Sequence, residues 1–469
     1  MGSLFASLDI GRKSLQAHQL ALQVTSNNMS NINTPGYSRL HTVFATDRPV
    51  ETGAGPVGTG VTVRQIESAR DQFIELRLVQ EVQNQAEEDA VFNALDQIQE
   101  VLSASAQGMQ SDISRFFNSF STLANDPESS GLRNAVLAAG QNLAASFNSA
   151  AHQLDEVQSS VNRSIEDAVN RVNTLASNVA TLNQQILVAE GSGSEASGLR
   201  DQRQEYLKEI SELVDVQYYE STDGSFYVSV GGGHSLVSGN TFQPLSAVPV
   251  GIQGFFEVRS GANNITNIIS GGAIAGFVQI RDQKIPDYQN DLDTLANTII
   301  NQVNTQHALG TDVLGNAGVN FFTPTPAPPL PQTLPTGASR NLAVNPVVAA
   351  DGLLIAAGQS GEAGDNANAL DLAALADSKI LNANTETFAE GFASLQFKVG
   401  TAAQSSKRTL EAQNAVLVQL QNQRDSISGV SLDEEALDLM RFQRAYQAAA
   451  KFISTIDQLT GELIASFGA

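Results

Sequence analysis

Histidine side chains are the first candidates for chemistry, because imidazole binds metals and exchanges protons near neutral pH. Two histidines three to five residues apart on a helix can share one metal ion. No two of the chain's five histidines lie that close together: His18, His41, His152, His234 and His307. The chain also has no cysteine, which excludes a thiolate zinc site. The sequence therefore predicts no metal centre.

A glycine-rich run is the second candidate, since such loops bind the phosphates of dinucleotides. Residues 53–58 read Gly-Ala-Gly-Pro-Val-Gly and match the pattern G-x-G-x-x-G. A true dinucleotide loop opens a helix, whereas this run contains Pro56 and leads into the extended stretch Val61-Thr62-Val63. We reject it as a cofactor site. The many carboxylates single out no acid–base pair, so we predict a protein that is not an enzyme and has no cofactor.

Composition and charge limit the partners. The chain has 469 residues, too many for one hydrophobic core, and a formal net charge of -23. Phosphate backbones and anionic lipids repel so acidic a chain, so we expect no nucleic acid and no membrane partner. No apolar run is long enough for a membrane span, and the N-terminus lacks the apolar core of a cleaved signal peptide. Export would therefore need an uncleaved signal.

Both chain ends carry apolar residues at alternating spacings of four and three, the pattern of a coiled-coil seam. An ordinary amphipathic helix on a globular core is the alternative. Met440, Phe452, Leu459 and Ile464 widen the C-terminal stripe, which favours more than one covering neighbour. The predicted assembly seam consists of Leu4, Leu8, Leu15, Leu22, Met29 and Ile32 at the N-terminal end. At the C-terminal end it consists of Leu439, Phe442, Tyr446, Ile453, Ile456, Leu463 and Phe467.

A sharp stop follows the first helix. Thr34 is biased out of the helical region by the proline after it, and Pro35 and Gly36 fit the central positions of a type II turn. Asparagines before the turn compete for backbone hydrogen bonds and weaken the helix. We predict a long helix that reverses into a strand. The turn motif consists of Asn28, Asn31, Thr34, Pro35, Gly36 and Tyr37.

Between the ends, most of the chain has helical character. Residues 214–270 instead alternate around Asp223-Gly224, which is a hairpin signal. We predict helices at about 66–101, 132–189, 199–213, from 286 onward, and at 367–424. The predicted fold is mostly α with a β insert: terminal helices forming a coiled-coil pair, a long helical-bundle middle domain and a small β-rich outer domain.

The predicted domain boundaries follow these changes of character. The terminal coiled-coil assembly domain comprises 1–45 and 425–469. The helical middle domain comprises 46–213 and 271–424, with a Pro-rich surface loop at 323–337, and the β-rich insert comprises 214–270.

Several stretches resemble the axial proteins of the bacterial flagellum, the family of rod, hook and hook-associated proteins. Asn27–Arg39 is similar to the signature after their first helix, and residues 431–463 are similar to their C-terminal segment. Gly58–Val63, followed by Arg70–Phe73, resembles a further stretch. Residues 199–215, 303–310 and 364–369 resemble the hook-associated members. The matching stretches occur in the family's order and cover both ends and most of the helical middle.

The resemblance implies a structural subunit at the junction between hook and filament, assembled through its N- and C-terminal helices and required for filament assembly. The implied partners are further copies in a ring, the hook protein and a second hook-associated junction protein. It also implies an extracellular place in the flagellum, reached through the flagellar export apparatus without a cleaved signal peptide. A cytoplasmic chaperone would hold the C-terminal region before export.

Other interpretations stay open at this point. The chain would then be another flagellar axial protein, such as a hook, rod or second junction protein, although the middle motifs argue against the first two. A surface adhesin carried by the β insert would require residues 214–270 to bind a host ligand alone. A hydrolase in that insert is a third class.

Overall fold

A computed structural model describes residues 2–52, 55–191, 195–221, 223–324, 337–362 and 364–467, and of residues 2, 3, 52, 104–107 and 467 it describes the backbone alone. Most of the predicted Pro-rich loop, Thr222 of the predicted hairpin turn and Gly53 of the glycine-rich run lie outside these residues. The helices are α1 (Gly2–Ser30), α2 (Gln72–Leu123), α3 (Ser130–Glu190), α4 (Ser197–Leu213), α5 (Gly272–Gln279), α6 (Ile285–Leu309), α7 (Pro346–Ala350), α8 (Ala367–Ala374), α9 (Phe388–Ser428) and α10 (Leu432–Phe467).

The strands are short and form antiparallel sheets. They are β1 (Leu40–Thr46), β2 (Val50–Thr52), β3 (Gly55–Val57), β4 (Val61–Ser68), β5 (Val216–Glu220), β6 (Phe226–Val230), β7 (His234–Ser238), β8 (Thr241–Phe242), β9 (Leu245–Val250), β10 (Phe255–Ser260) and β11 (Asn263–Asn264). In the described residues β1 pairs with β4 and β2 with β3, while the insert forms the sheets β5-β6-β7-β8 and β11-β10-β9. The predicted fold class, mostly α with a β insert, is confirmed.

Three predicted helix boundaries are wrong. The helix predicted to end at about residue 101 continues to Leu123. Residues 66–68 belong to β4, and the helix begins only at Gln72, because the Asp71 carboxylate caps it by accepting from the Phe73 and Ile74 amides. The predicted helix 367–424 is interrupted between α8 and α9. Asn382, Ala383 and Asn384 adopt positive φ there, which no right-handed helix can accommodate. A capping box then starts α9: Thr387 accepts from the Glu390 amide and the Glu390 carboxylate accepts from that of Thr387.

The long helices run back and forth around one aromatic core. The Phe117 and Phe388 rings stack with centroids 5.4 Å apart, so the end of α2 meets the start of α9. Arg424 near the end of α9 reaches Glu75 near the start of α2 at 3.3 Å, so the two helices are antiparallel. Phe116, Phe120, Phe147, Phe321 and Phe322 fill the space between α2, α3 and the segment after α6, and all are buried.

The β insert shares a second core with α3 and α4. The predicted hairpin forms with Val216 opposite Val230 and Glu220 opposite Phe226. Asn183 on α3 fixes one end of it, donating to the Phe226 carbonyl at 3.0 Å and accepting from the Phe226 amide at 3.1 Å. The insert is therefore held to the helices by directional bonds as well as by apolar packing.

His307, near the end of α6, is fully buried in the first core. Its Nδ1–H donates to the Val319 carbonyl, and its Nε2 accepts from the Ala356 amide at 2.9 Å. Burial lowers the pKa of His307 to about 4 from its ordinary 6.5. The ring is therefore neutral in the folded protein and has a structural role.

This buried imidazole predicts a loss of stability in mild acid. As the pH falls from 6.5 towards 4, the unfolded chain binds a proton on His307 that the folded chain does not bind. We expect the free energy of unfolding to lose about 2 kcal/mol from this group between pH 7 and pH 5. Urea unfolding followed by circular dichroism should show a shallower pH dependence in His307→Gln. His152→Gln, at an exposed position, should retain the full dependence, and equal slopes in the two variants would contradict the assignment.

Candidate assembly site at the chain ends

The two chain ends lie side by side as an antiparallel pair, α1 against α10. Gly11 permits the close approach, since a Cβ there would lie 2.7 Å from Cγ1 of Ile453. At the other end of the pair, the Asn28 side-chain amide donates to the Glu435 carboxylate at 3.1 Å. The predicted pairing of the terminal helices is therefore present within one chain.

The pairing of α1 with α10 buries the predicted seam residues only in part. Gly11, Thr25 and Ala449, which occupy further positions of the same four-and-three spacing, are buried, and the large seam side chains are only half-buried. The half-buried ones are Leu4, Leu8, Leu15, Leu22, Met29, Ile32, Leu439, Phe442, Tyr446, Ile453, Ile456 and Leu463. The side chain of Phe467 lies outside the described part of the chain. Pairing within one chain therefore leaves part of each large seam side chain exposed to solvent.

The flanking apolar residues of α10 remain open to solvent. Met440 is 47% exposed, Phe452 42%, Leu459 47% and Ile464 62%. We call these four residues the outer stripe. Four large apolar side chains exposed along one terminal helix make that helix a candidate interaction surface.

The other side of α1 packs on the β1–β4 hairpin. Lys13 pairs with Asp47 at 2.6 Å, and the His18 ring lies 5.7 Å from Phe44 and 6.3 Å from Phe442. Burial lowers the pKa of His18, and the positive charge of Arg441 lowers it further. His18 is therefore a packed aromatic residue between α10 and β1.

The turn after α1 has the predicted geometry. The Tyr37 amide donates to the Thr34 carbonyl at 3.2 Å, which closes a β-turn with Pro35 and Gly36 at its centre. Gly36 has φ of +74°, the left-handed value that the third position of a type II turn requires. The Thr34 hydroxyl donates to the Asn31 side chain at 3.1 Å, so Asn31 stabilises the turn locally.

Asn28 has a role that the sequence analysis missed. Its side chain is 1% exposed and pairs with the backbone of Leu40 in both directions, accepting from the amide at 2.9 Å and donating to the carbonyl at 2.8 Å. The Tyr37 hydroxyl donates to its oxygen at 2.8 Å. Burial, with Asp201 and Glu435 nearby, raises the pKa of Tyr37 to about 12, so this phenol stays protonated as a donor.

Arg39 and Glu435 complete the site and were also missed. Glu435 is 2% exposed, and its carboxylate accepts from Arg39 Nε at 2.7 Å as well as from Asn28. The ion pair between Arg39 and Glu435 could not be predicted from the sequence, because the two residues lie nearly 400 positions apart. The sequence features that could have indicated this ion pair are an arginine two residues after the turn motif and a run of acidic residues at the start of the last helix.

The described residues contain no group of three or more histidine, aspartate and glutamate side chains arranged to hold a metal ion. No described helix combines the length and apolar content that a bilayer crossing requires.

The buried asparagine predicts a specific weakness. In Asn28→Ala, the Leu40 amide loses its acceptor and the buried Glu435 carboxylate loses a donor, at a cost of about 3 kcal/mol in the terminal helices. Hydrogen exchange by mass spectrometry should then become on the order of a hundredfold faster in peptides from α1 and α10. Asn31→Ala removes only contacts with Asn27 and Thr34 and should leave exchange nearly unchanged. Equal exchange in the two variants would refute the role of Asn28.

Three family models match separate parts of this architecture. The helical domain of flagellar hook-associated protein FlgK matches residues 95–322, the flagella basal body rod protein matches 8–37, and the C-terminal part of flagellar basal body rod FlgEFG proteins matches 421–466. The last two matches fall on α1 with its turn and on α10. A solved structure, described as the flagellar hook junction protein FlgK from Burkholderia pseudomallei, has a similar fold. The TM-score is 0.66 at 19% identity, with coverage of 75% of this chain and 100% of that one.

Full-length relatives agree with these matches. Flagellar hook-associated protein 1 of Escherichia coli (strain K12) is 28% identical, covering 96% of this chain and 97% of the relative. That of Bacillus subtilis (strain 168) is 30% identical, covering 100% of this chain and 99% of the relative. The chain belongs to the flagellar hook-associated protein 1 family, and it is a structural axial component of the flagellum.

Proposed function

We propose that this protein forms the junction between hook and filament, as a ring of copies joined through α1 and α10, and that filament assembly requires it. Its role is structural rather than catalytic. The outer stripe carries this proposal, because its side chains lie on the same helix as the intramolecular seam and remain 42–62% exposed in the described chain.

The energetics favour a further protein surface as its cover. Burying a large apolar side chain completely stabilises by about 1.5–3 kcal/mol, so covering the half-exposed side chains of the stripe contributes roughly 1 kcal/mol each. Half-buried seam residues such as Tyr446 and Ile456 add to this burial when a neighbour covers them. Helices of neighbouring copies fit this pattern, since apolar residues repeating every three or four positions pack against a partner of the same kind.

The proposed partners follow from a place at the junction. They are the hook protein on one side and a second hook-associated junction protein on the other. The Burkholderia pseudomallei relative is described as a hook junction protein, which supports this place. We further propose export through the flagellar apparatus without a cleaved signal peptide, to an extracellular position. Before export, the outer stripe would need cover, and a cytoplasmic chaperone at the C-terminal region would provide it.

Polar substitutions in the outer stripe should block assembly and spare the fold. Met440→Gln, Phe452→Gln and Leu459→Gln together remove about 3 kcal/mol of burial per subunit, which weakens incorporation on the order of a hundredfold. The amount of protein in purified hook–filament preparations measures incorporation. Phe242→Gln, Ile252→Gln and Ile268→Gln form the matched control, because they replace exposed apolar residues of the β insert. Normal incorporation of the stripe variant, with its circular dichroism unchanged, would sink the proposed interface.

Deletion of the protein should leave hooks without filaments, with flagellin released into the medium. Electron microscopy of the deletion strain, together with immunoblots of the medium, distinguishes a junction protein from a rod, hook or surface protein. Assembly that halts before a complete hook would indicate a rod or hook protein instead. Normal filaments in the deletion strain would exclude a junction role and favour a surface role for the insert.

A further inference from the structure

The chain is built from two units that meet at a narrow joint. The terminal unit comprises α1, β1–β4 and α10, and the middle unit comprises α2–α9 with the insert. The chain crosses between them at 69–71 and at 429–431. Among the described residues, no helix or strand of one unit packs extensively along an element of the other. The orientation of the units must therefore be set at the joint itself.

The turn after α1 occupies this joint and is held from the middle unit by two side chains. Asp201 on α4 accepts from the Ser38 amide at 3.1 Å. Arg424 on α9 donates to the Gly36 carbonyl at 3.0 Å. Between these bonds Gly36 lies against α4, where a Cβ would come within 2.3 Å of Oε1 of Glu205. A side chain at this position would displace that of Glu205, and the positive φ of Gly36 would add backbone strain.

The same turn is held from the terminal unit by Arg39 and Asn28. Arg39 pairs with Glu435 at 2.7 Å and with Glu434 at 2.6 Å, both on α10. The Arg39 amide donates to the carbonyl of Ser428, the last residue of α9, at 2.8 Å. Residues 36–39 are thus bonded simultaneously to both units.

Charged neighbours fix the two middle-unit side chains in place. Arg70 pairs with the second oxygen of Asp201, and Glu75 accepts from Arg424 at 3.3 Å. All four side chains are at most 18% exposed, so salt screens them less than surface pairs. Hydrogen bonds from an arginine guanidinium, and to a carboxylate that accepts on both oxygens, are directional. They therefore fix the angle between the two units, whereas apolar contacts would let the units slide.

Open clefts flank the joint on both sides. One of about 510 Å³ lies between the turn and the α9–α10 connection, lined in part by Ile32, Pro35 and Val430. Another of about 190 Å³ lies between the turn, α2 and α9, next to Leu78 and Gln421. The joint is therefore not filled by side chains, and it has room to change its angle once the polar bonds are released.

We propose that residues 36–39, gripped by Asp201 and Arg424, are a polar clamp that sets the angle between the terminal helices and the middle unit. Releasing the clamp frees this angle and leaves both units folded. The clamp does not depend on the junction role proposed above, since it concerns the single chain.

The absence of cysteine makes a direct distance measurement possible, because introduced cysteines take spin labels without background. Gln80→Cys on α2 and Gln447→Cys on α10 place labels at exposed positions on the two units. Double electron–electron resonance on the full-length monomer should give one narrow distance. Asp201→Ala with Arg424→Ala should abolish that narrow distance and give a broad distribution, while helicity by circular dichroism stays unchanged.

The matched control removes one arginine and one acid elsewhere in the middle unit. Arg171→Ala with Glu209→Ala breaks an exposed pair between α3 and α4 and should keep the narrow distance. A narrow distance retained in the clamp variant would overturn the proposal, as would broadening of equal size in the control. If the alanine variant loses helicity, Asp201→Leu with Arg424→Met keeps much of the side-chain volume, removes the hydrogen-bonding groups and is judged by the same criterion.

Discussion

The buried contact between the Asn28 amide and the Glu435 carboxylate joins positions 407 residues apart, and the pairing of the chain ends depends on it. A carboxylate that is 2% exposed is stable only when its oxygens are satisfied, here by Asn28 and Arg39. The chain must therefore leave the terminal pair through α2 and return to the same point through α9. The antiparallel helices α2 and α9 meet that requirement, and α3–α8 with the β insert form the chain between them.

Local patterns were sufficient for much of the fold, as two elements show. The Thr34-Pro35-Gly36 sequence specifies its turn by backbone sterics alone, and the structure has that turn. The apolar spacing of α10 likewise identified side chains that contact α1. The start of α2 was wrong because β-branched and apolar residues before Asp71 fit either a strand or a helix. Pairing of β4 with β1, a contact between segments some twenty residues apart, decided for the strand.

The candidate site was less accessible to such reasoning. Asn28 was interpreted as a residue that weakens a helix, a correct local tendency that does not say where its side chain finds partners. In the structure the amide bonds Leu40 and Glu435, and neither contact has a local signature. Asp201 and Arg424 were similarly hidden, because a charged residue on a helix is usually solvated. Only their burial beside the turn distinguishes them from the many other charges of this acidic chain.

Apolar packing and polar bonds have different roles in this molecule. Inside the middle unit, rings such as Phe116 and Phe321 pack at centroid distances near 5.4 Å, so its shape is fixed by close packing. Between the units, hydrogen bonds and ion pairs form the main contacts, and the apolar surface of α10 stays about half exposed. The proposed assembly of copies into a ring benefits from this arrangement. The apolar faces of each copy remain available to neighbours, while the orientation of those faces is set by bonds that do not compete for the same surface.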